Sequence, residues 1–232
     1  MRWRRARGGG AALLLGLVAG GAGCKRARPP CSADLPALVE VRDGTGAPEL
    51  SLRPPPEAAA APAGALDVCD GAGRRVASLR EEPSRSLDGG ARGGGDGGTG
   101  PRVVELVNAA GDPMARLATT PGGDPSFTLT TPQGVRELRL HDEAELLRIL
   151  DPIGVPVAQI GRQDGRTMAF DPAGTPLASA EIVDARRVVR ARDGSVKHFV
   201  SGLESERAVA ALALVKLPLP ERVALARFLD QR

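Results

Sequence analysis

The 232-residue chain carries 31 Lys and Arg against 28 Asp and Glu, but four of its arginines lie in residues 1–23. Without that segment the balance is 27 against 28, a net charge of −1, so the apparent basicity belongs to the N-terminus. With four Phe, no Tyr and a single Trp at position 3, the body lacks the aromatic platforms on which single-stranded nucleic acid or sugars stack. Composition therefore argues against a nucleic-acid partner, and the remaining 200 or so residues suffice for one domain with a real core.

Residues 1–23 read in three parts. Arg2, Arg4, Arg5 and Arg7 form a basic head, Gly8 to Gly23 carries no charge, and the small residues Gly21, Ala22 and Gly23 precede Cys24. That order predicts an export signal, because the apolar part is too short and too glycine-rich to span a bilayer. Here the chain resembles the bacterial lipoprotein class, in which a signal peptidase cuts before a cysteine and a diacylglycerol is attached to its thiol. The resemblance implies a signal peptide over 1–23, lipidation at Cys24, a tether over 24–34, and residence in the cell envelope at the outer membrane or periplasmic face. An uncleaved signal anchor and a plain secreted protein are the alternatives. If Cys24 carries lipid, Cys31 and Cys69 are left as a pair that an oxidising compartment allows to bond. Otherwise they are two small unpaired hydrophobes. No CxxC exists and only His141 and His198 are available, so no metal site is expected.

From residue 35 onward the chain repeats around one glycine. The units include "VEVRDGTGAPELSL", "LDVCDGAGRRVASL", "RILDPIGVPVAQI" and "MAFDPAGTPLASA". The aligned glycines are Gly46, Gly73, Gly111, Gly134, Gly154, Gly174 and Gly194, the last four spaced by 20 residues. Asp43, Asp70, Asn108, Asp151 and Asp171 stand three residues earlier. Asp or Asn at a turn's first position and Gly at its fourth suit a hairpin built on a type I turn with a glycine bulge. Pro48, Pro113, Pro156 and Pro176 follow the glycine by two, which fits a strand's first residue. Four and six residues after each glycine stand pairs such as Leu50 and Leu52, or Ala178 and Ala180; period two puts them on one face, assigned to the core. The prediction is a mainly β domain over 35–232, an antiparallel, barrel-like meander of seven hairpins.

Two segments break the pattern. Residues 53–65 are a Pro/Ala loop, and residues 83–101 carry eight glycines between Gly89 and Gly100; both are expected to be flexible loops. The chain ends in predicted helices. "SERAVAALALVKL" over 205–217 has Ser205 to cap it and Pro218 to stop it. Ala208 to Val215 is apolar all round, so that helix is expected to be enclosed. A second helix is predicted from Pro220 to about Gln231. Hairpins of this kind followed by a wholly apolar terminal helix resemble the tubby-like barrels, a group that includes the LURP-one-related proteins and phospholipid scramblases. That resemblance implies a closed barrel around Ala208–Val215 and binding to lipid headgroups. A spiral of tyrosine–aspartate-type repeats, a propeller and a solenoid are rival architectures; a transmembrane barrel is disfavoured by the missing aromatic girdle.

Candidate chemistry is sparse. "HDEAE", from His141, reads as a solvated turn. His198 falls where other repeats have Ala or Leu, which fits either a cavity lining or a core-edge histidine. In "DARRVVRAR", Arg186, Arg190 and Arg192 share one strand face with Val188 and could grip an anionic group, or simply solvate an edge. No nucleophile elbow or cofactor motif occurs. The expectation is a non-enzymatic, lipid-anchored envelope module, needing no cofactor, that binds an unknown protein or small ligand through Arg186, Arg190, Arg192 or His198. A tubby-like headgroup binder and an envelope enzyme are the alternatives.

Overall fold

Each Asp-x-x-Gly unit closes a hairpin, and the bonds that do so repeat along the chain. Gly46 donates its N–H to the carbonyl of Asp43 at 2.9 Å, and Asp43 donates to Ala47 O at 2.9 Å. The carboxylate of Asp43 accepts from the amides of Thr45 and Ala47 at 2.8 and 2.9 Å. Asp70, Asn108, Asp151 and Asp171 accept the same two bonds in their own loops. Six of the aligned glycines have φ between +74° and +92°, and Gly134 has +127°. This left-handed backbone closes the turn at no steric cost only because glycine lacks a Cβ.

The computed structural model describes residues 31, 34–56, 64–82, 102–119, 123–131 and 134–231. The predicted signal segment, Cys24, the first part of the predicted tether, most of the predicted 53–65 loop and all of the predicted 83–101 loop lie outside them. Fourteen strands form the seven hairpins: β1 (Val39–Asp43) with β2 (Pro48–Arg53), β3 (Ala65–Asp70) with β4 (Arg75–Glu82), β5 (Val103–Asn108) with β6 (Pro113–Ala118), and β7 (Ser126–Thr131) with β8 (Gly134–Glu143). They continue with β9 (Leu146–Leu150) and β10 (Pro156–Gln163), β11 (Arg166–Phe170) and β12 (Pro176–Val183), and β13 (Arg186–Ala191) and β14 (Val196–Ser201). Every neighbour is antiparallel, and β14 returns to pair with β1, closing a barrel. All seven glycine loops therefore lie at one end. The four prolines each begin a strand.

Six hairpins carry a bulge just after the loop, and it skips one residue in each second strand: Glu49, Val76, Met114, Val157, Leu177 and Lys197. Val76, Met114 and Val157 pack on the core, so the bulge turns a further side chain inward beside the two predicted ones. Of the fourteen positions four and six residues after a glycine, only Ala158 is not buried. Outward positions are charged and matched across strands, as in the row Arg80, Glu105, Arg116, Thr128, Glu137. An apolar interior behind an ionic outer wall is the reverse of a membrane-spanning barrel.

The interior is filled by the chain's own C-terminus. α1 (Glu206–Ala211) enters from the end opposite the glycine loops, with Ser205 as its cap. Glu206 accepts from the Thr167 hydroxyl at 2.6 Å, and Arg207 grips Asp142 at 2.9 Å. The enclosed helix is shorter than the sequence predicts: it ends at Ala211, residues 212–217 are turns, and Val215 is 74% exposed at the glycine-loop end. Short apolar side chains satisfy burial in either conformation, so periodicity could not set that boundary. α2 (Leu219–Asp230) then runs back through the barrel, and Asp230 accepts from the amides of Glu204 and Ser205 at 2.6 and 2.7 Å. α1 lies against β10–β13 and α2 against β5 and β6. Inward residues are small on the α1 side (Ala169, Ala178, Ala180), which lets its backbone approach the wall.

Candidate functional site

Two places collect polar groups in unusual settings. The first is the glycine-loop mouth of the barrel. His198 on β14 points inward, as its repeat position dictates, and is buried. Glu49, the bulge residue of β2, reaches it across β1, with Nδ1 and Oε2 2.9 Å apart. Arg222 and Glu221 from the first turn of α2 complete the group, Arg222 donating to Leu212 O at 2.5 Å. Glu49 Oε2, His198 Nδ1, Glu221 Oε2 and Arg222 Nε are buried without an aligned hydrogen-bond partner. The His198–Glu49 contact is thus short but poorly directed.

Burial dominates this mouth. It pushes the His198 imidazole below its ordinary value, and the nearby Arg222 and Lys197 cations add to that, while Glu49 opposes them. Burial likewise raises the Glu221 carboxyl and lowers Arg222. At the same end, between the 214–217 turns and the β8–β12 wall, lies a cleft of about 80 Å³ lined mainly by apolar residues, among them Leu138, Ile149, Val157 and Leu177. Ligand pockets run about 300–1,000 Å³, so this cleft does not enclose a molecule of that size.

The second place is a groove of about 560 Å³ on the outer wall where β1 meets β14, lined by Glu40, Arg42, Arg186, Phe199 and Ser201 among others. Arg42 is held by Glu40 at 2.8 Å, whereas Arg186 makes no ion pair among the described residues. The predicted basic face is divided. Arg190, bound to Glu181 at 3.0 Å and to Gly194 O at 2.7 Å, and Arg192, in the glycine loop, line a second outer groove, apart from Arg186. Arg186 and Arg190 project outward and His198 inward, so the four predicted ligand residues do not converge.

His141 and its neighbours form no turn: they end β8, and the turn is Ala144–Glu145. His141 contacts Asp124 at 2.7 Å and Glu143 at 3.2 Å, and these carboxylates raise its pKa above 6.5. The inward-turned bulge residues went unread in the sequence, although their fixed position three residues after each glycine was a usable signal.

Cys31 and Cys69 are joined by a disulfide, their Cα atoms 6.2 Å apart. Cys31 also donates its amide to Gly73 O at 2.9 Å, fixing the start of the described chain at a glycine loop. Fold and sites together define a plugged antiparallel β-barrel. No protein-family model matches the chain, and no curated protein or solved structure matches it.

Proposed function

We propose that the chain is a non-enzymatic, lipid-anchored cell-envelope protein whose plugged barrel is a binding module acting through its outer surface and mouth. The observation that carries this reading is the Cys31–Cys69 disulfide, which leaves Cys24 as the one unpaired thiol, directly after the apolar N-terminal run. A structural disulfide belongs to an oxidising compartment, which is where an exported lipoprotein resides. The interior is taken up by α1, α2 and the side chains around them, so a partner has the outer wall or the rims to bind. The test is the mass of the mature N-terminus in a bacterial host, with a Cys24→Ser variant alongside. A chain starting at diacylated Cys24, and loss of the variant from the membrane fraction, is the expected result; an intact Met1 or an unacylated Cys24 overturns the reading.

A second reading, an anionic-headgroup binder of the tubby-like kind, draws on Arg186. Its guanidinium faces the outer groove without a carboxylate partner among the described residues. Replacing Arg186 by Ala should abolish binding of the purified protein to phosphatidylglycerol vesicles if that groove is the site, and unchanged binding removes it.

A further inference from the structure

We propose that the glycine-loop end of the barrel rests on the bilayer, with Ile153, Val155, Val135 and Val215 entering the lipid interface. This deepens the lipid-anchor reading and rests on it. The three most exposed large apolar side chains of the described residues are Ile153 at 85%, Val215 at 74% and Val135 at 66%. All three belong to this end: Ile153 to the β9–β10 loop, Val135 to the start of β8, and Val215 to the turns between α1 and α2. Val155, 52% exposed, belongs to the same loop as Ile153, and Val215 lines the small apolar cleft together with Arg136, Lys216 and Asp171. Exposed apolar residues grouped at one end, with cations beside them, are suited to an interface of acyl chains and anionic headgroups.

The covalent chain selects the same end. Cys31 is bound to Gly73 O in a glycine loop, and Leu35 accepts from Arg53 toward the other end, so the chain descends the outer wall away from the loops. Cys31, the first described residue, is therefore held at the glycine-loop end. Seven peptide units separate Cys24 from Cys31, and they reach at most about 25 Å. A diacylated Cys24 thus holds this end within that distance of the membrane. The opposite end carries Leu38 at 44%, Ile182 at 61% and Val183 at 37%, each below Ile153, Val215 and Val135, and it lies away from Cys31.

The mature chain lacks Trp and Tyr, so one introduced Trp reports without background. Full-length Ile153→Trp and Ile182→Trp proteins, purified from the host membrane with their anchor, would be placed in vesicles of phosphatidylethanolamine and phosphatidylglycerol. Flotation and N-terminal mass verify the anchoring. The expected result is a blue-shifted emission, quenched by brominated lipid, for Ile153→Trp only. Anchored protein with an unshifted, unquenched Ile153→Trp, or with both positions quenched alike, overturns the orientation and leaves the anchor standing. A chain without acyl groups at Cys24 overturns the anchor and, with it, the orientation.

Discussion

His198 on β14 and Glu49 on β2 meet inside the barrel mouth, 2.9 Å apart, although β1 lies between their strands. The contact exists because the β2 bulge turns Glu49 toward the interior. Lys197, also at a bulge position, and Arg222 of α2 are the other charged groups acting on the imidazole, and Glu221 acts on Arg222. Burial lowers the His198 pKa below 6.5, so the unfolded chain binds this proton more readily than the folded one. Stability from His198 is therefore present above pH 6.5 and lost as pH falls through the lower, folded-state value. His141, whose pKa is raised, acts in the opposite sense, its contribution being lost as pH rises. In a His141→Gln background, His198→Leu should flatten the decline of the urea midpoint below pH 6.5. An unchanged slope would show that the imidazole is not the group responsible.

Two glycines with positive φ, Gly154 in a hairpin loop at +86° and Gly202 just after β14 at +78°, separate conformational cost from steric cost. A Cβ at Gly154 meets nothing within 4 Å, so Gly154→Ala should cost only the left-handed penalty, about 1–2 kcal/mol. At Gly202 the added carbon would overlap the carbonyl oxygen of Leu38, where the chain enters β1. Gly202→Ala should be distinctly worse, and equal denaturation midpoints for the two variants would contradict this account. Asp151 offers a companion test: Asn accepts the same two amides, as Asn108 does, so Asp151→Asn should be near neutral while Asp151→Ala loses about 1 kcal/mol.

The Cys31–Cys69 bond closes a loop across 38 positions of sequence. Chain-entropy reasoning gives such a crosslink about 2–4 kcal/mol. Reduction, or the Cys31→Ser/Cys69→Ser pair, should lower the unfolding free energy by that amount. Matching guanidinium curves with and without reductant would mean that the bond restrains the tether alone.

Most of the barrel was legible because three independent signals coincided at each hairpin: the Asp or Asn cap, the glycine, and the apolar pair four and six residues on. Closure was not, since the partners Val41 of β1 and Val200 of β14 stand 159 positions apart, beyond any local pattern, and pairing across that distance is read only in three dimensions. The end of α1 was hidden for a different reason: Leu212, Ala213 and Leu214 are buried as turns just as they would be as helix. The candidate ligand residues failed to converge because alternation along a strand places Arg186 and Arg190 outside, while His198, on the next strand, faces in. Glu221 is a charged residue in the first turn of the second helix, yet it is buried, because the barrel encloses α2.

That enclosure yields the most direct test of the plug. Phe228 is fully buried on α2, where the Arg102 guanidinium lies 5.8 Å from its ring centre, and Arg227 holds Glu81 at 3.0 Å. Truncating a buried phenylalanine removes its transfer energy and leaves a cavity, about 3–5 kcal/mol in total. Arg227→Ala breaks a partly exposed ion pair and should cost no more than about 1 kcal/mol. Phe228→Ala should therefore lower the denaturation midpoint several times more than Arg227→Ala does. If α2 were only a surface helix laid on the barrel, the two would be comparable, because the space left by Phe228 would fill with solvent instead of staying empty inside the core.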